Sequence, residues 1–217
     1  MPRKKRIWYP GATFHVMSRG NRRGSIFKDR SDYIEFIEQI YAVRKLYPFK
    51  VHALCLMTNH FNMLIETGDI ALSKIMHKLL LLYAANYNIK YKLTGHLFEN
   101  RYVAQIIEDE RYFLEVSRYI HLNPVKAQMV REPLTYEYSS YTAYMNMEEK
   151  GNKSESSGMS MAQSMIADLT DTSRVLGAFR HNSIEQYRMF VEGKISHAEQ
   201  ELLIQKDMKE DEMWLPW

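Results

Sequence analysis

Two polar side chains, two residues apart in an otherwise apolar stretch, could hold a metal ion. His60 and Asn62 lie in MTNHFNMLIE, between two apolar runs. Residues i and i+2 of a strand project to the same face of a sheet, so the imidazole and the carboxamide would point together. An imidazole nitrogen and an amide oxygen are both metal donors. Two polar residues on the solvated face of a sheet give the same pattern, so the pair leaves both interpretations open.

A tyrosine on a later segment is a candidate nucleophile. At about 100° per residue, the segment ERYFLEVSRYIHL has a core-facing stripe that comprises Phe113, Val116, Ser117 and Ile120. A neighbouring stripe comprises Tyr112, Glu115, Tyr119 and Asn123. Tyr119 and Asn123, one helical turn apart, therefore flank the core and face the same way. The chain has 15 tyrosines, and a boundary residue with its hydroxyl in water is the alternative interpretation for any one of them.

The segments that must position these side chains follow the order β-α-β-β-α-β, with a further helix after them. Strands are predicted at residues 12–18, 49–57, 60–66 and within 98–107, and helices at residues 31–47, 70–91 and 109–122. Ser31 and Asp109 are predicted N-caps. Asn123-Pro124 is the predicted end of the last helix, because the residue before a proline disfavours helix. The order predicts an α+β fold, a ferredoxin-like split βαβ sheet with an additional helix that carries Tyr119.

The C-terminal part of the chain differs in composition. Residues 147–158, MEEKGNKSESSG, have the composition of a linker. Beyond them, apolar spacing within residues 166–179 and 184–191 predicts a small C-terminal helical appendage. The predicted division is therefore a first domain at 1–146, a linker at 147–158 and the appendage at 159–217.

Composition and charge limit the class of protein. Hydrophobic residues make up 46% of the 217 residues, which permits a packed core and excludes global disorder. The single cysteine, Cys55, cannot form an internal disulfide and is expected to be buried on a strand, which fits a reducing, cytoplasmic setting. No apolar run approaches ~20 residues, so no membrane span is expected.

Positive charge is concentrated at the N-terminal end. The formal net charge is only +3, yet nine of the first thirty residues are Lys or Arg, and one, Asp29, is acidic. A basic region on a nearly neutral protein is typical of a surface that binds a polyanion, most often a nucleic acid. A solvated basic surface without a ligand is supported equally well.

Four sequence blocks together resemble one known family. YPGATFHVMSRGNRRGSIF, HALCLMTNHFNMLIE, GHLFENRY and RYIHLNPVKAQMV occur in this order, and the resemblance covers about residues 10–144. They resemble the REP-associated tyrosine transposases, relatives of the single-tyrosine insertion-sequence transposases of the HUH superfamily. The resemblance implies a single-stranded DNA endonuclease and strand transferase on a ferredoxin-like fold. It also implies Mg²⁺ or Mn²⁺ as cofactor and a DNA hairpin with a short flanking tag as substrate.

The resemblance further implies the roles of single residues. Tyr119 stands at the position of the catalytic tyrosine, and His60, Asn62 and Asn123 stand at the metal positions. The family pattern has a second histidine where this chain has Asn62. A carboxamide oxygen is a hard neutral donor that suits Mg²⁺ or Mn²⁺, but imidazole binds most divalent transition metals better. We therefore expect a weakened metal site.

Residues around the predicted site are candidates for proton transfer and phosphate contacts. Glu115, one turn before Tyr119, is a possible proton acceptor, with a solvated ion-pairing residue as the alternative. His15 could lie near the site if its strand neighbours that of His60, but a satisfied or half-exposed histidine is the favoured interpretation. The candidate DNA-binding residues are Arg19, Asn21, Arg22, Arg23, Arg101 and Lys126.

Two classes of function account for these patterns. The leading one is an enzyme of the transposase type, which cleaves and rejoins single-stranded or hairpin DNA through a 5′-phosphotyrosine. The alternative is a non-catalytic DNA- or RNA-binding protein derived from such an enzyme, because Asn62 replaces the expected second histidine. The sequence leaves the DNA target and the oligomeric state, monomer or dimer, open.

Overall fold

A four-stranded antiparallel sheet forms the centre of the protein. The computed structural model describes residues 7–146 and 158–193, so most of the predicted linker, residues 147–157, lies outside the described residues. The strands are β1 (Thr13–Arg19), β2 (Phe49–Met57), β3 (His60–Thr67) and β4 (Val103–Ile107). They lie in the order β2-β3-β1-β4, and each neighbouring pair is antiparallel. This is the strand order of a ferredoxin-like sheet, and it confirms the predicted α+β fold.

Three long helices cover the two faces of the sheet. Helices α1 (Arg30–Leu46) and α2 (Leu72–Tyr91) pack on one face, in a core that includes Phe14 and Phe61. Helix α3 (Glu110–Lys126) packs on the other face. The predicted core stripe of α3 is confirmed, since all four of its residues are buried, and so is Cys55. No helix within residues 7–146 and 158–193 is long and apolar enough to cross a membrane.

Helix α1 begins earlier than predicted, and its N-cap is Asp29 rather than Ser31. The Asp29 carboxylate accepts hydrogen bonds from the backbone N–H groups of Ser31 and Asp32, and Asp32 completes a capping box. The Ser31 hydroxyl donates to the same carboxylate at 2.7 Å. A carboxylate is favoured at a helix N-terminus because it also complements the helix dipole. Lys90 Nζ, on the last turn of α2, lies 2.9 Å from Asp29 and joins the two helices.

Helix α3 continues past its predicted end at Leu122 and includes Pro124. A proline removes one backbone donor from a helix. The loss falls in the last turn, and the helix still closes, since the N–H of Ala127 donates to the Asn123 carbonyl at 3.0 Å. The extension matters for the site because it keeps Asn123 and Lys126 on the helix that carries Tyr119.

Strand β4 is shorter than the predicted segment 98–107. Phe98 instead forms an isolated bridge with Gly20, and the Glu99 N–H donates to the Arg19 carbonyl at 3.0 Å. The loop before β4, residues 95–102, therefore packs against the turn that follows β1.

Four short helices follow α3 in the described part of the chain. They are α4 (Tyr141–Met145), α5 (Met161–Leu169), α6 (Ser173–Gly177) and α7 (Ser183–Glu192). Ile166 of α5 belongs to the core beneath α1, whereas Tyr187 of α7 belongs to the core beneath α3. The predicted C-terminal helices thus pack into both cores of the sheet. The division of the chain into domains stays a prediction.

A buried hydrogen-bond network attaches α3 to its neighbours. His121 Nδ1 lies 2.7 Å from the Tyr187 hydroxyl, and His121 Nε2 lies 2.8 Å from Ser140 Oγ. Ser140 Oγ also accepts the backbone N–H of Leu54 in β2 at 2.8 Å. Burial lowers the pKa of His121 to about 3. A neutral imidazole therefore links α3, α7 and the sheet.

We expect acid to destabilise the protein partly through His121. The unfolded imidazole takes up a proton near pH 6.5, whereas the folded one stays neutral down to about pH 3. Protons therefore favour the unfolded state across that interval, and His121 should contribute about 2 kcal/mol of lost stability between about pH 7 and about pH 5. Urea unfolding at both pH values measures this change in the free energy of unfolding. His121→Gln should reduce the pH dependence, and His77→Gln, at an exposed position of α2, should not. The same pH dependence in all three proteins would contradict this role.

Candidate active site

Strands β1 and β3 bring several polar side chains to the face that α3 covers. Their pairing sets Arg19 opposite His60 and Met17 opposite Asn62. The apolar residues that alternate with them along both strands belong to the core on the opposite face. His15, Arg19, His60 and Asn62 therefore share the α3 face. The predicted pairing of His60 and Asn62 on one strand face is confirmed.

His60 lies at the first position of β3 and is half-buried. Its Nδ1 lies 2.8 Å from Asn59 Oδ1. Burial lowers the pKa of His60 to about 4, a side-chain hydrogen bond with Asn123 acts in the opposite direction, and the charge of Arg19 lowers it further. The imidazole is therefore neutral near pH 7 and has a nitrogen lone pair that can bind a metal.

Asn62 is fully buried and contacts His15. Asn62 Oδ1 lies 3.0 Å from His15 Nε2. Within the described residues, Asn62 Nδ2 has no hydrogen-bond partner. Burial lowers the pKa of His15 to about 4, and the bond to Asn62 partly offsets this effect. The sequence favoured a satisfied or half-exposed histidine here, and His15 is indeed hydrogen-bonded, but to a residue of the candidate site. The one signal that could have placed His15 in it is the adjacency of β1 and β3.

Tyr119 projects from α3 toward the same group of side chains. Its ring lies edge-on to that of His15, with centroids 5.8 Å apart and planes at 72°. Lys126 Nζ lies 4.6 Å from the centroid of the Tyr119 ring. Asn123, one turn after Tyr119, is 8% exposed and bonds to His60. The structure thus brings the predicted nucleophile together with the predicted metal donors and with Lys126.

Glu115, the predicted proton acceptor, lies one turn before Tyr119 on α3. Its Oε2 is 3.9 Å from Nη1 of Arg118, whose side chain is 6% exposed. Arg118 Nη2 in turn donates to the Gly193 carbonyl at 3.0 Å, at the end of α7. The carboxylate therefore takes part in the contacts that hold α3 against α7.

The predicted basic turn follows β1 and packs against the β2–β3 hairpin. Asn21–Arg23 form a short 3-10 turn, and the Asn59 Nδ2 group donates to the Arg23 carbonyl at 3.1 Å, beside His60. Arg22 and Arg23 are both exposed, and their φ angles of 55° and 57° lie in the left-handed region. That conformation costs a non-glycine residue roughly 1–2 kcal/mol, and it persists where surrounding contacts enforce it. The backbone of the turn is therefore held by its contacts, and the two exposed cations project from it.

The other two predicted DNA-binding arginines lie in different surroundings. Arg19 is half-buried, and its Nε donates to Glu99 Oε2 at 3.0 Å at the His60 end of the site. Arg101 is exposed on the loop before β4 and lines a groove that this loop forms with α2. Phe14 also lines that groove, so Arg101 lies on the α2 side of the sheet, away from Tyr119.

The donors that could hold a metal are one imidazole and two carboxamides, from His60, Asn62 and Asn123. Residues 7–146 and 158–193 contain no cluster of three or more His, Cys, Asp or Glu side chains suited to a metal. The three donors still fit a hard divalent ion, because His60 is neutral and amide oxygens are neutral oxygen ligands. The buried amide nitrogen of Asn62 has no hydrogen-bond partner within the described residues.

The comparison with protein families assigns the chain to a class. Residues 9–123 match the IS200-like transposases, and this stretch includes the whole sheet, Tyr119 and Asn123. The chain therefore belongs to the IS200-like transposase family, which confirms the resemblance predicted from the sequence blocks. No curated protein matches the chain closely enough to count as a relative.

Two solved structures are similar to this one. A REP-associated tyrosine transposase bound to a REP hairpin is 18% identical, with 68% of this chain and 87% of that chain covered and a TM-score of 0.58. A putative transposase from Deinococcus radiodurans R1 is 13% identical, with 55% of this chain and 95% of that chain covered and a TM-score of 0.39. The first likeness shows a shared fold.

Gly20 closes the basic turn, and we expect its substitution by alanine to disrupt the turn. A Cβ on Gly20 would lie 2.1 Å from the Gly24 carbonyl oxygen and 2.9 Å from Ile26 Cγ2. Gly20→Ala should lower the free energy of unfolding by about 2 kcal/mol or more, because backbone must move. Chemical denaturation measures the change. Gly177→Ala, at a helical glycine with open space around its Cβ position, is the matched control and should be neutral or slightly stabilising. Equal stability of the Gly20→Ala variant and the parent would show that the turn is not closed as described.

Proposed function

We propose that this transposase cleaves and rejoins single-stranded DNA of the hairpin type, with Tyr119 as the nucleophile. The observation that carries the proposal is the approach of Tyr119, from α3, to the buried polar group formed by His15, His60 and Asn62. A phenol and two neutral imidazoles then converge on one face of the sheet with two amides, those of Asn62 and Asn123. Converging groups of this kind suit phosphoryl transfer, in which positioning and charge stabilisation do most of the work.

In the proposed step, the Tyr119 oxygen attacks a backbone phosphorus. The bond from Oη to phosphorus forms while the bond from phosphorus to the 3′ oxygen breaks, which leaves a 5′-phosphotyrosine and a free 3′-hydroxyl. The phosphoester is conserved for later rejoining. A phenol with a pKa near ~10 must lose its proton during attack, and the departing 3′ oxygen gains one from solvent water. Glu115, one turn away on α3, is the proposed acceptor of the phenol proton.

His60, Asn62 and Asn123 are the residues that would hold Mg²⁺ or Mn²⁺. When bound, such an ion polarises a non-bridging phosphate oxygen and offsets the negative charge of the transition state. Lys126 would also offset the negative charge of the transition state, without a metal. Its ammonium group lies 4.6 Å from the Tyr119 ring centroid. It would place a positive charge beside the attacked phosphate.

The basic turn is the proposed phosphate-binding surface next to the site. Arg22 and Arg23 are exposed, and Asn59 connects the turn to His60. The structural relative that shares this fold is bound to a REP hairpin, which supports a DNA hairpin as the substrate class here. Arg101 would contact DNA that continues along the α2 side of the loop at 95–102.

A non-catalytic DNA- or RNA-binding protein is the second candidate, and one observation favours it. Asn62 stands at the second histidine position, and its oxygen is engaged by His15 at 3.0 Å. The first candidate forms a covalent adduct with DNA, whereas the second binds the same DNA without one. Incubation with a labelled single-stranded hairpin and Mn²⁺ or Mg²⁺, followed by denaturing electrophoresis, separates the two candidates.

Tyr119→Phe should abolish the covalent adduct while binding of the hairpin survives. The ring and its contacts with His15 and Lys126 remain, and only the nucleophilic oxygen is lost, so we expect a decrease in cleavage of about a thousandfold or more. Denaturing gels measure the adduct, and a mobility-shift assay measures binding. Tyr112→Phe, on the same helix, is the control and should keep activity. An adduct formed by the Tyr119→Phe variant would remove Tyr119 from the mechanism.

Affinity for single-stranded DNA should fall steeply with salt, and the basic turn should contribute to that slope. Each phosphate contact releases counterions, and each contributes about 0.7 to the slope of log K against log salt for single strands. Replacing Arg22 and Arg23 together by alanine should therefore reduce the slope by about 1.4. Lys45 and Arg180, both exposed on other elements, provide a double-alanine control with the same change in net charge. An equal reduction in both double variants would place the DNA elsewhere.

A further inference from the structure

The buried amide nitrogen of Asn62 has no hydrogen-bond partner within the described residues, and this points to a specific role for His15. Asn62 has no exposed surface, its Oδ1 lies 3.0 Å from His15 Nε2, and no acceptor among the described residues bonds its Nδ2. Buried amide groups are almost always hydrogen-bonded. The described residues therefore supply no acceptor for the amide nitrogen in this orientation of the carboxamide.

The two ends of a carboxamide exchange places by a half-turn about the Cβ–Cγ bond. After this rotation, Nδ2 of Asn62 donates to Nε2 of His15, provided that the ring carries its proton on Nδ1. Oδ1 then occupies the position that has no protein partner, on the strand face shared with His60. An amide oxygen at that position is a ligand for Mg²⁺ or Mn²⁺.

We propose that His15 is a positioning residue, which holds the Asn62 carboxamide with its oxygen toward the metal. The inference rests on the proposed function and adds a residue outside the metal donors themselves. The carboxamide oxygen of an asparagine binds a cation, whereas its NH₂ group repels one. A chain with Asn62 therefore needs a neighbour that selects between the two orientations, and His15 does so by accepting the Nδ2 hydrogen bond.

The surroundings of His15 suit this role. It lies on β1, directly beside β3, and is 5% exposed. Its ring is held edge-on against Tyr119. A ring fixed in this way directs its nitrogen lone pair at one point, which is how residues behind a metal ligand orient that ligand.

The proposal is tested by measuring how tightly the full chain binds Mn²⁺ in the absence of DNA. The electron paramagnetic resonance signal of the free ion reports the binding. His15→Phe keeps an aromatic ring but removes the acceptor, and it should weaken Mn²⁺ binding about tenfold or more. His15→Gln has a carbonyl that can accept from Nδ2, so its affinity should stay within about threefold of the parent. Thermal unfolding of each variant reports whether it folds.

The Asn62→Asp background is the matched control. A carboxylate has two equivalent oxygens, so no orientation needs to be selected. In this background, His15→Phe should change Mn²⁺ affinity by less than about twofold. Equal weakening in both backgrounds, or weakening in neither, would overturn the role of His15 while the metal site stands. If neither the parent nor the Asn62→Asp protein binds Mn²⁺, the proposed metal site fails together with the inference.

The unaltered protein offers a second test that needs no variant. Nitrogen NMR of the imidazoles in Mg²⁺-saturated protein distinguishes a ring nitrogen with a proton from one without. We expect Nε2 of His15 to carry no proton and to accept from Asn62. A proton on Nε2 would show that the carboxamide oxygen still faces His15, and it would overturn the proposal.

Discussion

The pairing of β1 with β3 is the constraint on which the rest of the site depends. Arg19 lies opposite His60 in this pairing, and Met17 opposite Asn62. A slip of one residue would turn the polar side chains of one strand toward α1 and α2. Burial prevents that slip, because Phe14 and the other apolar residues that alternate with them fill the opposite core. The same hydrophobic alternation that builds the sheet therefore aligns two imidazoles and a carboxamide.

Helix α3 adds the second half of the site, and its position is also set by packing. Phe113 and Ile120 are fully buried against the sheet, and His121 bonds both to the segment after α3 and to α7. With these contacts fixed, Tyr119 and Asn123 lie over His15 and His60. The proposed nucleophile and its neighbours are thus held by regular elements rather than by loops, which suits a reaction that depends on precise positioning.

The sequence was sufficient for the fold because its signals are local and periodic. The core stripe of α3 and the strands on either side of Thr58-Asn59 follow from spacing alone. What spacing does not supply is the identity of non-sequential neighbours. His15 and Asn62 are 47 residues apart in sequence, and only the strand order brings them together. The orientation of the Asn62 amide depends in turn on that contact, so it lay beyond sequence reasoning as well.

Local competition explains the errors at element ends. Asp29 and Ser31 are both acceptable N-caps, and the carboxylate prevails because it accepts two backbone bonds and also pairs with Lys90 on a distant helix. Pro124 disfavours helix at the residue before it, yet the packing of α3 holds the last turn helical. As a consequence, Asn123 and Lys126 lie on the same helix as Tyr119, as the proposed function requires.

The most direct test of the central claim is to locate the residue that becomes covalently attached to DNA. After reaction with a single-stranded hairpin in Mn²⁺, the protein is digested with nuclease and trypsin and examined by mass spectrometry. Cleavage after Arg118 and Lys126 yields the peptide YIHLNPVK, in which Tyr119 is the single tyrosine. We predict a nucleotide adduct on this peptide. An adduct on the preceding peptide YFLEVSR, which contains Tyr112, or no adduct on a protein that binds the hairpin, would contradict the account.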